Sequence, residues 1–457
     1  MTSPVAPTLA QYQWGGLMLS GTENQDIRLL MRISRLRFTA INESGVPFLT
    51  EVLKLSKTYP SIRNALLALA GRFKATTFLG RNSGTAGDQG TAALEIYQDV
   101  LISLREKIAQ LDSVQANHDG VALEVMGSIL LLTITRFPKD TRLEQSDDWW
   151  FHMAGMISVI QSMDRRALES TNLGRLVMQM AAHLDIGALS LGRSLGSTPP
   201  EPDFTPIEVI VGYPMSLLTI IATISAVLED TKAIGPGTSL HALIKSLYDE
   251  AVNGRGVGAS GHALGHSATN SATGGSYTEL LSMLESVLTL WQPPVVPNRI
   301  SMSVAMALTS AWDIMRKAAL LYLWRGGFCA SVFEPLPFNR QQVASRFIHE
   351  MVLGFRTLLD LAEGQAITIM NIMTWSIVVV GNECGNNADM QTEIVLLLER
   401  MQSYFGIEHL KQLISLLREL WMRFESHKHD PSPPHSSHED LNLDNLSIEF
   451  GLCLPLL

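Results

Sequence analysis

Cysteine is scarce in this chain. Only Cys329, Cys384 and Cys453 occur among 457 residues, all in its last third and none in a CxxC pair. A zinc site built from several thiolates needs four ligands held close together, so these three exclude one, and an odd number without a framework fits a reducing compartment. Charge is also thin, at 17% of residues against 46% hydrophobic, so many helices must be buried on more than one side. The balance is acidic, with 44 Asp and Glu against 34 Lys and Arg for a net charge of −10. Such a surface repels nucleic acid on average, and no continuous basic run offsets it. Long apolar runs are missing too. The longest, around Val121–Thr135 and Met215–Leu228, are interrupted by polar groups. They fall short of the roughly 18 residues a span requires, which makes them core helices and argues against a membrane. The start, Met1–Pro7, has neither the basic residues nor the apolar stretch of a secretory signal.

Patterns that carry catalysis are equally thin. Gly256, Gly258 and Gly261 match the dinucleotide-binding glycines by letter, but a helical stretch precedes them where a strand is required. Ser194, between Gly192 and Gly196, matches a nucleophile elbow, yet a helical pattern runs in and Pro199-Pro200 follows. His262 and His266 are spaced as two ligands on one helix face, but glycines surround them and no acidic third ligand is near. His427, His429, His435 and His438 lie among Pro and Ser as a solvated tail rather than a metal site. The sequence therefore offers no catalytic, cofactor-binding or metal-ligating residue, and no cofactor is expected.

What the chain does have is helical periodicity. Apolar residues recur at three- and four-residue steps in Ile62–Leu79, Ala92–Leu111, Val121–Thr135, Asp147–Met163 and Leu173–Leu191. The pattern continues in Met215–Leu228, Leu240–Val252, Tyr277–Leu290, Ser303–Leu323, Arg340–Leu361, Thr368–Val380, Asp389–Phe405 and Ile407–Phe424. No alternating runs flank an Asn-Gly or Asp-Gly pair, so hairpins are not expected and the fold class is all-α. The expected organisation is a flexible arm over residues 1–25, a large helical domain over 26–425 and a tail over 426–457. Within the domain, residues 253–276 form a Gly/Ser/His-rich mobile loop. The 20 methionines suit adaptable helix packing or an apolar ligand cavity.

Three stretches stand out. Ser146 or Asp147 caps a helix on which Trp149, Met153, Met156, Ile157 and Ile160 share one face, with a close backbone contact expected at Gly155. Arg28, Arg32, Arg35 and Arg37 interleave with apolar residues, as on a helix with a solvated basic face or one that meets DNA, a membrane or a partner. The tail from Glu439 to Phe450 alternates acids with large apolar residues. It reads equally as an acidic activation segment or as an element docked on the core.

Four segments together resemble the fungal-specific transcription factor domain, the helical regulatory region that usually follows a six-cysteine binuclear zinc cluster. They are Ala92–Tyr97 running on to Leu104 and Ile108, Trp150–Gly155, Thr374–Glu383 and Trp421. Their order is that of the family. Ser376 stands where the family commonly has proline, a choice the first helical turn tolerates. The resemblance implies a regulatory protein of the nucleus. It implies action through protein partners, a zinc-cluster transcription factor or a coactivator, or through sensing a small-molecule effector. No cysteine precedes Cys329, so the DNA-reading cluster is missing from this sequence, which puts direct DNA binding in doubt. Two alternatives stay open. One is an all-α enzyme of secondary metabolism, which convergence of His152 and His183 with an acid would favour. The second is a zinc cluster encoded upstream of Met1.

Overall fold

The computed structural model describes residues 21–37, 47–78, 86–111, 118–135, 214–229, 239–253, 277–296, 300–332, 336–365, 368–405, 409–429, 441–452 and 454–456, with scattered positions between 152 and 212. Trp149, Trp150, Met153, His183, Ser194, the glycine pattern at 256–261, His262, His266, His435, His438 and Cys453 lie outside the described residues, as do the side chains of Arg32, Arg35 and Arg37. Chain packing divides the protein into two units, Met1–Leu184 with Val209–Val211 and Asp185–Glu208 with Gly212–Leu457. The described residues are almost wholly helical, and the protein is all-α.

In the first unit the organising element is α3 (Pro60–Phe78), against which α1 (Gly21–Arg37), α2 (Pro47–Leu55), α4 (Ala86–Leu111) and α5 (His118–Thr135) pack. Ala65, Ala68 and Ala70 are fully buried on α3, and such small side chains let neighbouring helices approach closely. On α5, Ala122 and every residue from Val125 to Leu132 are buried, as expected for a helix apolar on all sides. One carboxylate is enclosed there as well. Glu124 is 3% exposed, and its two oxygens accept from the Ser61 backbone N–H at 3.1 Å and from Lys107 Nζ at 2.6 Å. A buried charge is tolerable only when paired and hydrogen-bonded in this way. The first helix begins at Gly21, inside the expected arm, because Glu23 and Asp26 pair with Arg63 and Lys74 of α3. Ile27, Leu30 and Met31 are buried while Arg28 faces solvent, which is the ordinary amphipathic arrangement.

The Trp-rich helix is described at His152 and over residues 155–160. Met156 and Val159 are buried, whereas Ile157 and Ile160 are only partly covered, so the inward face is rotated from the expected one. The close contact at Gly155 is not found. No heavy atom of the described residues lies within 4 Å of where its Cβ would be.

The second unit contains α6 (Met215–Glu229), α7 (Ser239–Asn253), α8 (Tyr277–Leu290), α9 (Met302–Arg325), α10 (Phe338–Gln365), a 3-10 turn (Thr368–Ile372), α11 (Thr374–Asn382), α12 (Ala388–Phe405), α13 (Leu410–His429) and α14 (Leu443–Glu449). Trp312, Trp375, Phe355 and Phe405 are the largest fully buried side chains. The stretch expected as one helix over Thr368–Val380 is two elements. Met373 N–H bonds back three residues to Met370 at 3.1 Å, and the α-helix starts only after that tight turn. The helix expected to reach Leu191 does not, since Ser190–Leu191 (β1) pairs antiparallel with Leu454–Pro455 (β2) and buries Leu191 and Leu454. Between the two readings of the tail, the structure shows docking. Leu443 and Leu446 of α14 are buried, Asn442 Oδ1 caps the helix through Asn445 N–H at 2.7 Å, and Asn442 Nδ2 donates to Cys329 O at 3.0 Å.

Trp312 shows how the core of this unit is fixed. Its ring is fully buried and its Nε1–H donates to Gly212 O at 2.6 Å. Trp312→Phe keeps an aromatic ring but leaves that buried carbonyl without this donor. It is expected to lower stability by about 1–3 kcal/mol, read as a lower denaturant midpoint at unchanged slope.

Candidate functional site

The second unit holds a cavity of about 360 Å³ between the ends of α9 and α11 and the flanks of α10 and α13. Two glycines end α9. Gly326 and Gly327 take φ of 88° and 85°, a region that disfavours any side chain, and both N–H groups bond to Tyr322 O, at 3.1 and 2.9 Å. This sharp stop leaves Arg325 as the last helical residue, directed at Glu383 just past α11. Its Nε and Nη2 reach the two carboxylate oxygens at 2.7 and 2.5 Å. The side chains are 10% and 7% exposed, so the pair is a two-pronged ion bridge on the cavity wall and almost out of water.

The neighbouring residues are tightly placed. All nine residues of α11 are buried, including Asn382, which lines the cavity at 6% exposure. Asn382 Oδ1 has no hydrogen-bond partner among the described residues. Cys384 donates its S–H to Val380 O at 3.1 Å, and burial first and the Glu383 charge second push its thiol up to about 12. Trp421 of α13 donates Nε1–H to Gly381 O at 2.9 Å, while the Leu417 methyls lie 3.2 Å from where a Gly381 Cβ would be. That close approach accounts for the glycine. At the cavity rim, His349 Nδ1–H donates to Ser345 O at 2.8 Å, which leaves Nε2 as the outward ring nitrogen.

A model of the family described as the fungal specific transcription factor domain matches residues 30–433 of the chain. The chain belongs to that family. Its role is accordingly regulatory, in the control of transcription. No curated protein and no solved structure matches the chain.

Within this family member the segments that carry the resemblance meet in pairs. In the first unit Tyr97 and His152, from two separate segments, share a 2.6 Å hydrogen bond between the phenol oxygen and Nε2, with their rings edge to face. In the second unit the Thr374–Glu383 segment meets Trp421 through Gly381. Ser376 is in the first turn of α11, where Ile377 makes the first helical bond, to Met373 O at 3.0 Å, so a proline there would break none. His152 is thus engaged by a tyrosine, and His183 lies outside the described residues. Among the described residues no three His, Cys, Asp or Glu side chains are placed to share a metal, and no helix is long and apolar enough to cross a membrane.

None of the cavity's polar residues stands out in the sequence as a site. Asn382 and Glu383 belong to a family-like segment, so a signal is present there. Arg325, the partner of Glu383 at 58 positions' distance, carries no pattern linking it to them.

Two outcomes follow from this geometry. Removing one partner of a buried pair strands the other charge, so Arg325→Met alone is expected to destabilise the protein by about 3–5 kcal/mol. The double variant Arg325→Met with Glu383→Leu should recover most of that loss in a double-mutant cycle of denaturant unfolding. For the thiols, maleimide labelling of the native protein at neutral pH followed by peptide mapping should mark exposed Cys329 and leave Cys384 unmarked until denaturant is added.

Proposed function

We propose that this chain is the regulatory part of a fungal transcription regulator, working in the nucleus through protein partners rather than by reading DNA itself. The observation that carries this is the family match over residues 30–433. Its partners are of two kinds, a zinc-cluster transcription factor or a coactivator. The sequence supports that mode of action in two ways. Its three cysteines cannot supply a six-cysteine cluster, and its net charge of −10 opposes the phosphate backbone. A second mode, sensing of a small-molecule effector, is favoured by the cavity walled by Arg325, Glu383 and Asn382.

The test fuses the full chain to a heterologous DNA-binding domain in a fungal reporter strain and follows a fluorescent tag on the unfused chain. The expected result is nuclear fluorescence and a reporter level at least several-fold away from that of the DNA-binding domain alone. A chain excluded from the nucleus, with a reporter unmoved in either direction, overturns the proposal. So does unaided, sequence-specific binding of the purified chain to promoter DNA.

A further inference from the structure

Between α8 and α9 the chain runs Trp291-Gln-Pro293-Pro294-Val295-Val296, a stretch that is neither helix nor strand. Its entry is fixed. Trp291 N–H bonds back to Val287 O at 2.8 Å, and its indole Nε1–H donates to Ser216 Oγ at 3.1 Å. Past that anchor the chain meets solvent. Gln292 and Pro293 are exposed, and Val295, at 90%, is the most exposed large apolar side chain among the described residues. The prolines set the conformation. Their rings lock φ of Pro293 and Pro294 at about −65°. A residue that precedes a proline is held extended, which applies to Gln292, to Pro293 and to Val296, before Pro297 in the sequence. The segment is therefore pre-set toward a polyproline II helix. Among the described residues, Gln292 to Val296 give and receive no hydrogen bond, so their carbonyls are met by no donor there.

An exposed extended segment is recognised either by strand addition or by an aromatic groove. A strand-adding partner needs a ladder of alternating N–H and C=O groups. Pro293, Pro294 and Pro297 have no N–H, three of the five residues 293–297, so such a ladder cannot form. An aromatic groove needs only apolar surface and carbonyls, because its tyrosine O–H and tryptophan N–H groups are the donors. We propose that Gln292–Val296 is a docking strip for a proline-reading domain, one with an aromatic groove of the SH3 or WW kind. Pro293 and Val295 pack on the rings of the groove, and the free carbonyls accept from its phenol and indole groups. Because the prolines hold the bound shape beforehand, little chain entropy is lost on docking. The inference rests on the reading of this chain as one that acts through protein partners, and gives one such contact a place and a chemistry.

The test presents the full purified chain to a panel of purified fungal SH3 and WW domains, read by biolayer interferometry. At least one domain is expected to bind at submillimolar concentration, and replacing an aromatic residue of its groove by alanine should remove the signal. Pro293→Ala with Pro294→Ala should weaken that binding about tenfold or more, with circular dichroism unchanged. Val295→Asp, at the most exposed position, should weaken it as well. The double proline change restores two N–H groups, so a strand-adding partner would bind that variant as well or better, and this result overturns the inference. Met302 and Met306, 76% and 66% exposed at the start of α9, are the control for general apolar adhesion. Met302→Gln with Met306→Gln should leave binding unchanged, and a loss there overturns the inference. So does failure of every domain to bind. A concentration-dependent dimer that Val295→Asp disperses, with no domain bound, assigns the strip to a second copy of the chain and overturns it too. All of these are read on purified components, so failure here is distinct from failure of the nuclear reporter test.

Discussion

The second unit depends on one constraint, that Arg325 and Glu383 must meet. Neither charge can be left alone where it sits, because each side chain is at most 10% exposed and the desolvation cost of an unpaired ion there is large. The end of α9 and the end of α11 must therefore arrive in a fixed register. The two glycines after Arg325 make that possible by ending α9 abruptly. Once the register is set, Gly381 is presented to α13, Trp421 closes on its carbonyl, and the wall of the cavity follows from the same placement. Tyr322 adds to it from the preceding turn, packing edge to face on both Phe328 and Trp375.

How much of this is legible in the sequence varies with the length of the element. Tyr277–Leu290 is readable to the residue because an apolar face repeated over four turns leaves little choice of period. The longer Ala86–Leu111 and Phe338–Gln365 are readable in place but extend beyond the expected Ala92–Leu111 and Arg340–Leu361. Short elements are not. Pro47–Leu55 offers too few repeats to register, and the split at Met373 depends on one tight backbone bond within an uninterrupted apolar run. β1 is hidden for a different reason. Its partner lies at the other end of the unit, and local pattern cannot show that Leu191 buries against a chain segment at Leu454. The same limit applies to the candidate site, where the carboxylate lies in a recognisable segment and its guanidinium does not. Gly155 is a different case. A glycine on a helix suggests a close neighbour, and the described surroundings contain none.

The residues that mark the family in this chain are chiefly packing residues. Gly381 is small because α13 presses on it, Trp421 holds that contact with an indole N–H, and Tyr97 with His152 joins two helical segments of the first unit. The cavity chemistry sits directly beside such a contact, on Asn382 and Glu383. Scaffold and site therefore share a segment, and a change that loosens the α11–α13 contact alters the cavity wall with it.

The pairing of Ser190–Leu191 with Leu454–Pro455 and the seating of α14 against Cys329 have a consequence for how the protein is made. An early segment of the second unit is completed by residues that lie much later in the chain. Until Leu454 and α14 have been synthesised, Leu191 has no strand to lie against and the surface that α14 covers is open. The helices joined by short loops can form and pack during synthesis, because their contacts are local. The closing steps wait for those later residues, and through that interval this apolar surface is exposed to chaperones and to other nascent chains.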